Sequence, residues 1–265
     1  LWDNNEITID GKTSITRNED MKMRMSSIGF NFLEADGHNF EDIRRVLNEA
    51  QNSNRPVFIS FRTKIGYGSP KEGTSKCHGS PIKGDELVET KNKLNCNWGE
   101  FVVPENILNM WKEVSNRNND KFTEWLKNVE KSDKAEEFSR VIKNELPENL
   151  EEELLKFKKQ VREESPKEAT RKSSQRVLEE LTKNIDILVG GSADLTGSVL
   201  TKTSGMEILD SNNYDGRYIN YGIREHAMAG IMNGLALHKG VIPYAGTFFC
   251  FADYEKPSIR LSALM

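Results

Sequence analysis

The chain has 265 residues, with 37 Lys and Arg against 41 Asp and Glu, for a formal net charge of −4. This mildly acidic balance, without a basic tract, argues against nucleic acid as the main partner. No apolar stretch reaches the roughly 18–20 residues that a membrane span needs, and the mean hydropathy is −0.64. Cys77, Cys96 and Cys250 form no CxxC pair and no disulfide framework. We therefore expect a soluble, cytoplasmic protein with no membrane or nucleic-acid partner.

Residues 1–95 alternate between strand and helix patterns. Asn39 is placed to cap a helix whose apolar residues, from Phe40 to Ala50, keep to one face. A continuous apolar strand at 56–61 then runs into a glycine-rich loop at 63–70. Helix, buried strand and glycine loop are typical of an α/β parallel sheet, whose ligands bind beyond the carboxyl ends of the strands.

A charged segment at residues 96–165 follows this first pattern. Between positions 111 and 165, 26 of 55 residues are charged, and the signs alternate. Apolar residues such as Trp111, Trp125 and Phe138 recur at intervals that supply only narrow apolar stripes. We interpret the segment as a mostly helical connector with a solvated face, rather than as a binding surface.

A second α/β pattern occupies residues 166–265. It predicts a helix at 171–181, a strand at 185–189 that ends in a glycine-rich loop at 190–198, and a short strand at 218–220. A helix of small residues at 225–237 and a strand near 241–247 follow. The chain starts at Leu1 in a strand-like run and stops within a helical pattern, so we expect a portion of a longer protein. The predicted fold class is α/β, with two units of parallel sheet flanked by helices and joined by the charged helical connector.

Oxygen-bearing side chains directly follow the first predicted strand, at Asp3, Asn4 and Asn5. Oxygen ligands at a strand end suit a hard cation such as Mg²⁺ beside a diphosphate, whereas the alternative is a plain turn. Two glycines after Ile65 allow the backbone to approach a ligand closely, and His78 lies in a loop where it could bind phosphate or shuttle a proton. A plain loop and a structural histidine are the alternatives for these two features.

Glu225 begins a helix whose small residues permit close packing against another helix. A carboxylate there could be held protonated or hydrogen-bonded to a ligand nitrogen, and the alternative is a capping carboxylate or an ion pair with Arg224. Phe248, Phe251 and Tyr254 place aromatic rings after a strand, where they form either core or a flat pocket for a planar ring.

Five motifs stand in order along the chain: DNNEITIDG at 3–11, IGYGS at 65–69 with HGSP at 78–81, GGSADLT at 190–196, YGIREH at 221–226 and PYAGTF at 243–248. Together they resemble transketolase, a thiamine diphosphate-dependent enzyme. The resemblance covers the whole chain and implies a central portion of that enzyme. Residues 1–95 would be the C-terminal part of the diphosphate-binding domain and 166–265 the N-terminal part of the pyrimidine-binding domain. Both would be units of the thiamine diphosphate-binding type.

For the diphosphate half, the resemblance implies a metal site and a cofactor surface. Asn5 and the Ile7 carbonyl would bind the divalent cation, Mg²⁺ or Ca²⁺, that holds the diphosphate. Ile9 and Ile65 match positions beside the cofactor. His78 matches a histidine that touches both the cofactor and the sugar, which implies a catalytic role.

For the pyrimidine half, the resemblance makes Glu225 the second catalytic residue. It matches the glutamate that shares a proton with the pyrimidine ring and thereby drives cofactor activation. Phe248, Phe251 and Tyr254 match the aromatic pocket for that ring. Asp194 matches a carboxylate near the cofactor.

The implied activity is transfer of a two-carbon ketol unit from a ketose phosphate to an aldose phosphate, in the pentose phosphate pathway. Arg171 and Ser198 match residues that hold the sugar phosphate, for which a guanidinium is well suited. The implied partner is a second copy of the chain, because each active site of this family lies between two subunits. Glu6 and Gly197 stand where the family frequently has glycine and proline. The alternatives are a catalytically incomplete binding or assembly module, and a related enzyme such as dihydroxyacetone synthase.

Overall fold

The computed structural model covers residues 1–265 and contains two compact units, Leu1–Ser115 and Asn116–Met265. Short 3₁₀ helices occur at Thr13–Ile15, Ser75–Cys77 and Phe249–Phe251. None of the α-helices has both the length and the hydrophobicity that crossing a membrane would require.

The first unit contains five strands and four helices. The strands are β1 (Trp2–Asn4), β2 (Ile7–Thr8), β3 (Gly11–Lys12), β4 (Asn31–Asp36) and β5 (Val57–Arg62). The helices are α1 (Met21–Ser27), α2 (Phe40–Gln51), α3 (Gly84–Lys93) and α4 (Glu105–Asn116), the last ending at the unit boundary. Strands β1, β5 and β4 form a parallel sheet in that order, and β2 and β3 form an antiparallel hairpin.

The core of the first unit lies between the parallel sheet and α2. Val46 of α2 is fully buried in a cluster with Leu33, Ala35 and Ile59 of the two long strands. The Asn39 side chain accepts hydrogen bonds from two backbone N–H groups of the first turn, at 3.0 and 3.3 Å. The predicted helix cap and the predicted buried strand, which is β5, are therefore confirmed.

The second unit contains three strands and seven helices. Its helices are α5 (Asn119–Lys131), α6 (Ala135–Ile142), α7 (Leu150–Glu164), α8 (Thr170–Asn184), α9 (Thr196–Val199), α10 (Glu225–His238) and α11 (Ala252–Leu264). Its strands are β6 (Leu188–Ser192), β7 (Tyr218–Asn220) and β8 (Ile242–Pro243), which pair in parallel in the order β7-β6-β8. Helices α4 to α7 occupy most of the segment predicted as a connector, while the domain limits at residues 95 and 165 stay predictions.

The predicted strand at 185–189 was wrong in its limits, because β6 begins at Leu188 and extends to Ser192. The Ile185 N–H bonds back to the last turn of α8, and the Leu188 N–H bonds to the Ile185 carbonyl in a turn. Ile185, Ile187 and Leu188 are buried in one cluster that also contacts Leu181 of α8. The apolar side chains at the start of this run thus serve helix packing, and strand pairing starts later.

The predicted strand near 241–247 is also shorter than expected, since only Ile242–Pro243 forms β8. Pairing with β6 continues through hydrogen bonds from the Tyr244 N–H to the Val189 carbonyl and from the Gly246 N–H to the Gly191 carbonyl. The chain therefore keeps to the edge of β6 beyond the assigned strand.

Gly191 allows β6 to pass directly beneath an aromatic ring. A Cβ at this position would lie 2.2 Å from Cε2 of Tyr221 and 2.9 Å from the backbone oxygen of Ile219. Tyr221 itself is buried in a cluster with Ala193 and Met228. Because a backbone atom limits any relaxation, only glycine fits here without displacing the strand.

We predict that Gly191→Ala lowers the free energy of unfolding by about 1–3 kcal/mol, the usual cost of an overpacked core. Gly197→Ala is the matched control, because no atom lies within 4 Å of its Cβ position. Alanine there, inside α9, should be neutral or stabilising by up to about 1 kcal/mol. Urea denaturation followed by circular dichroism measures both, and equal effects would contradict the packing argument.

Candidate functional site

The loop after β1 holds the predicted metal residues in an ordered turn. The Asn5 Oδ1 accepts a hydrogen bond from the Ile7 N–H at 3.0 Å, which fixes the amide oxygen beside the Ile7 backbone. The hairpin of β2 and β3 then places Ile9 at its tip, 71% exposed. Glu6 adopts a left-handed conformation with φ of 57° and forms an ion pair with Arg62. The hydrogen bond from Arg62 holds the pKa of the Glu6 carboxyl below its usual range.

The donor chemistry of this turn fits part of a hard-cation shell. The Asn5 amide oxygen and the Ile7 carbonyl are neutral oxygen donors of the kind that Mg²⁺ and Ca²⁺ accept. No three His, Cys, Asp or Glu side chains gather anywhere in the structure in a way that could hold a metal ion. A cation at this turn would therefore depend on anionic oxygens supplied from outside the turn, such as those of a diphosphate.

The first unit brings the Ile65 loop and the His78 loop into contact through Cys77. A Cβ on Gly66, where φ is 63°, would lie 2.4 Å from the Cys77 Sγ. The same thiol donates a hydrogen bond to the Lys71 carbonyl at 3.0 Å. His78 follows directly, exposed, at the end of a 3₁₀ helix. Two of the predicted residues thus lie on loops that pack together.

Two residues that the sequence reasoning missed also hold this loop. The Nε2 of His38 accepts a hydrogen bond from the Lys64 N–H at 2.9 Å, and its ring stacks on Tyr67 with centroids 4.0 Å apart. The Glu72 Oε2 accepts a hydrogen bond from the Gly68 N–H at 2.9 Å. The His38 contact joins residues 26 positions apart, with α2 and β5 between them, so no periodicity in the sequence predicts it.

Three donors converge on Glu72 and change its acidity. The Gly68 N–H contributes most, followed by Lys64 at 3.2 Å and Lys93 at 3.3 Å, and together they lower the pKa of the Glu72 carboxyl to about 2. The ionised form is thereby favoured in the folded state. Its contribution to stability is complete above the ordinary pKa of 4.5 and declines as the pH falls toward 2.

We predict that Glu72→Gln speeds amide hydrogen exchange at Gly68 and its neighbours, because a charged acceptor is replaced by a weaker neutral one. In the unsubstituted chain, the same exchange should accelerate on acidification from pH 4.5 toward pH 2, after correction for intrinsic rates. Glu86→Gln is the control, since Glu86 pairs with Lys71 at 2.7 Å but accepts no backbone N–H from this loop. Unchanged protection in Glu72→Gln would show that other contacts hold the loop.

The second unit places Asp194 and Ser198 at the carboxyl end of β6. Asp194 is exposed, with φ of 60°, and the turn is closed by a hydrogen bond from the Leu195 N–H to the Ser192 Oγ at 3.0 Å. Ser198 is exposed on α9, and Arg171 is exposed near the start of α8. No hydrogen bond joins Arg171 to Ser198, so the structure does not bring this predicted pair into direct contact.

Glu225 is the first residue of α10, immediately beyond the loop that follows β7, and it is only 9% exposed. The rings of Phe248 and Phe251 lie 5.6 Å apart, and those of Phe251 and Tyr254 lie 6.0 Å apart. The three predicted aromatic residues therefore form one continuous cluster. Tyr254 is 65% exposed, which leaves apolar ring surface available to a planar ligand.

One cavity of the first unit borders the predicted metal turn. It has a volume of about 340 Å³, and Asn4 and Glu6, on either side of Asn5, line it together with Trp2 and Arg17. The other predicted residues lie on loops and helix ends, most of them exposed, whereas Glu225 is buried.

Comparisons with known proteins match both halves of the chain to domains of one enzyme family. Residues 1–147 match the family model of the transketolase thiamine diphosphate binding domain, and residues 167–265 match that of the transketolase pyrimidine binding domain. A transketolase of Rhodobacter capsulatus is 43% identical over 268 residues, and one of Aquifex aeolicus is 37% identical over 266. The matches cover all of this chain but only 40% and 38% of those proteins.

Solved transketolase structures share the fold. The enzyme of Leishmania mexicana superposes with a TM-score of 0.87 at 32% identity, covering 98% of this chain and 39% of the other. A Pichia stipitis transketolase in complex with sedoheptulose-7-phosphate gives a TM-score of 0.86 at 34% identity, covering 99% and 40%. The α/β fold with parallel sheets is thus that of thiamine diphosphate-binding domains. One family model alone matches residues 1–147, which is more than half of the chain. The chain therefore belongs to the transketolase family.

Proposed function

We propose that the protein containing this chain catalyses the thiamine diphosphate-dependent transfer of a two-carbon ketol unit from a ketose phosphate to an aldose phosphate. The observation that carries the proposal is the buried carboxylate of Glu225 at the start of α10, within the matched pyrimidine binding domain. The Pichia stipitis relative was solved with a sugar phosphate, which supports this substrate class and a place in the pentose phosphate pathway.

Bound thiamine diphosphate supplies the electron sink that allows a C–C bond beside a ketose carbonyl to break. Within the proposal, Asn5 and the Ile7 carbonyl bind a divalent cation, Mg²⁺ or Ca²⁺, that neutralises the diphosphate. Ile9 and Ile65 cover the cofactor. His78 donates a hydrogen bond to the cofactor phosphate or to the sugar, because its exposed ring has no hydrogen-bond partner within the chain.

In the other half, Glu225 holds a proton at its carboxyl oxygen against a nitrogen of the pyrimidine ring. The aromatic cluster packs against that ring and excludes water from it. Asp194 lies near the cofactor at the carboxyl end of β6. Arg171 and Ser198 bind the phosphate of the sugar, each from an exposed position that leaves it free for a ligand.

We predict that Glu225→Gln, in the protein expressed from its complete gene, slows deuterium exchange at C2 of bound thiamine diphosphate by about 10²–10⁴-fold, the usual range for a lost acid–base group. Proton NMR of the quenched cofactor measures the exchange. Glu163→Gln is the control, since Glu163 is exposed on α7 and forms no ion pair. If Glu225→Gln leaves the exchange rate unchanged, the catalytic proposal is wrong and a binding or assembly module takes its place.

We infer that the active protein is a homodimer in which each site takes the diphosphate half from one subunit and the pyrimidine half from the other. The two candidate half-sites lie on separate compact units, which permits this arrangement. All three cysteines are free, which agrees with the proposed cytoplasmic location.

A subunit-mixing experiment tests the shared site. His78→Ala and Glu225→Gln, each inactive alone, should recover about one quarter of wild-type activity after the subunits are mixed at equal amounts and exchanged. About half of the dimers are then hybrids, and each hybrid has one intact site. Mixing without exchange is the control, and no recovery in verified hybrids would show that both halves come from the same subunit.

A further inference from the structure

Helices α10 and α11 lie side by side and run in the same direction. The Ser258 Oγ lies 3.2 Å from the His226 Nδ1 and donates to the His226 carbonyl at 3.3 Å. One to two turns further on, the Asn233 Nδ2 donates to the Ser258 carbonyl at 2.9 Å, and the Ser262 Oγ donates to the Asn233 Oδ1. Later residues of one helix therefore meet later residues of the other. The first turn of α10 therefore lies against the second turn of α11, one turn beyond the first turn of that helix.

Each of these first turns carries a glutamate. Glu225 is the first residue of α10 and precedes His226 directly, while Glu255 lies three residues before Ser258 on the same face of α11. The Glu255 Oε1 is buried and has no hydrogen-bond partner. Buried polar atoms are rarely left without a partner, so this oxygen calls for an explanation.

We propose that Glu255 is a positioning residue for Glu225, in which the two neighbouring carboxyl groups act as a pair that retains one proton between them. This inference rests on the proposed function, because the retained proton is the one that Glu225 would hold against the cofactor nitrogen. Two carboxylates at close range cannot both ionise without strong repulsion, so the second acid makes the first proton harder to lose. The retained proton would then be shared through the Oε1 of Glu255, which otherwise has no hydrogen-bond partner.

The electrostatic surroundings support such a pair. Burial raises the pKa of the Glu255 carboxyl, and the charge of Glu225 raises it further. On α11, Lys256 is paired with Asp253 at 2.7 Å, and Glu255 itself forms no ion pair.

The remaining titratable groups on the packed elements are few. His226 is engaged by Ser258, and His238 lies at the opposite end of α10. Cys250 on the preceding 3₁₀ helix is exposed, as is Tyr254, while Arg260 lies more than a turn beyond Glu255. Arg224, directly before Glu225, donates through its guanidinium to the Tyr221 carbonyl at 3.1 Å and forms no ion pair with either glutamate.

The test uses cofactor-free protein, expressed from its complete gene with ¹³C-labelled glutamate carboxyls, and follows their NMR titration. In the unsubstituted protein, one glutamate should titrate above the usual range. In Glu255→Gln, the Glu225 signal should move to lower pH by about one unit or more, and in Glu225→Gln the Glu255 signal should do the same. Asp253→Asn is the matched control on the same helix and should move neither signal.

The two single variants make the result decisive even if one of them does not fold, because the coupling is reciprocal. Unmoved titration in a folded variant would overturn the pair. In the enzyme loaded with thiamine diphosphate, C2 deuterium exchange should decline as the pH rises. In Glu255→Gln this decline should occur at a lower pH than in the unsubstituted protein, while exchange at low pH is retained. If Glu225→Gln abolishes exchange while the titrations are independent, only this inference fails. If Glu225→Gln leaves exchange intact, the proposed function fails whether or not the carboxyls are coupled.

Discussion

Parallel strand pairing determines where several of the candidate residues of this protein lie. Parallel neighbours direct their carboxyl ends to the same edge of a sheet, so the loops that leave those ends are gathered without any contact between the loops themselves. Asn5 follows β1 and Ile65 follows β5 in the first unit, and Asp194 follows β6 and Glu225 lies beyond β7 in the second. If the pairing were antiparallel, these loops would lie at opposite edges.

Once gathered, the loops are held by side chains that bond to the backbone. Asn5 binds the Ile7 N–H, Glu72 binds the Gly68 N–H, and Ser192 binds the Leu195 N–H. Such bonds satisfy polar groups that a loop otherwise leaves to water, and they reduce the number of conformations open to it. The loops that carry the candidate residues are therefore largely ordered in the folded chain itself, and such order would lower the entropic cost of binding a ligand there.

Local signals predicted the elements whose causes are local. The cap at Asn39, the apolar run of β5 and the helix that starts at Glu225 each depend on residues within one or two turns, and all three are present in the structure. The start of β6 was misplaced because Ile185 and Ile187 pack against helices that no short window contains. Glu72 and Glu255 were missed for a similar reason, since a charged residue in a polar stretch looks solvated until the fold supplies its neighbours.

Glu6 shows how a residue other than glycine is accommodated in a strained turn. The backbone at this position has a positive φ, which glycine adopts freely and most other residues adopt at a cost of about 1 kcal/mol or more. The Glu6 side chain reaches Arg62 at the end of β5 and forms an ion pair with it. The turn that carries Asn5 is thus tied to the neighbouring strand by a contact that glycine could not make.

The contact between His38 and the Lys64 N–H fixes the chemical form of one imidazole. A ring nitrogen that accepts a backbone N–H carries no proton of its own, so the neutral ring of His38 must be the Nδ1–H tautomer. That lone pair cannot coordinate a metal unless the Lys64 amide is released. The ring of His78 forms no hydrogen bond within the chain, so both of its nitrogens are available to a ligand. Of these two histidines, one therefore has a ring nitrogen engaged by the backbone, and the other has neither nitrogen engaged.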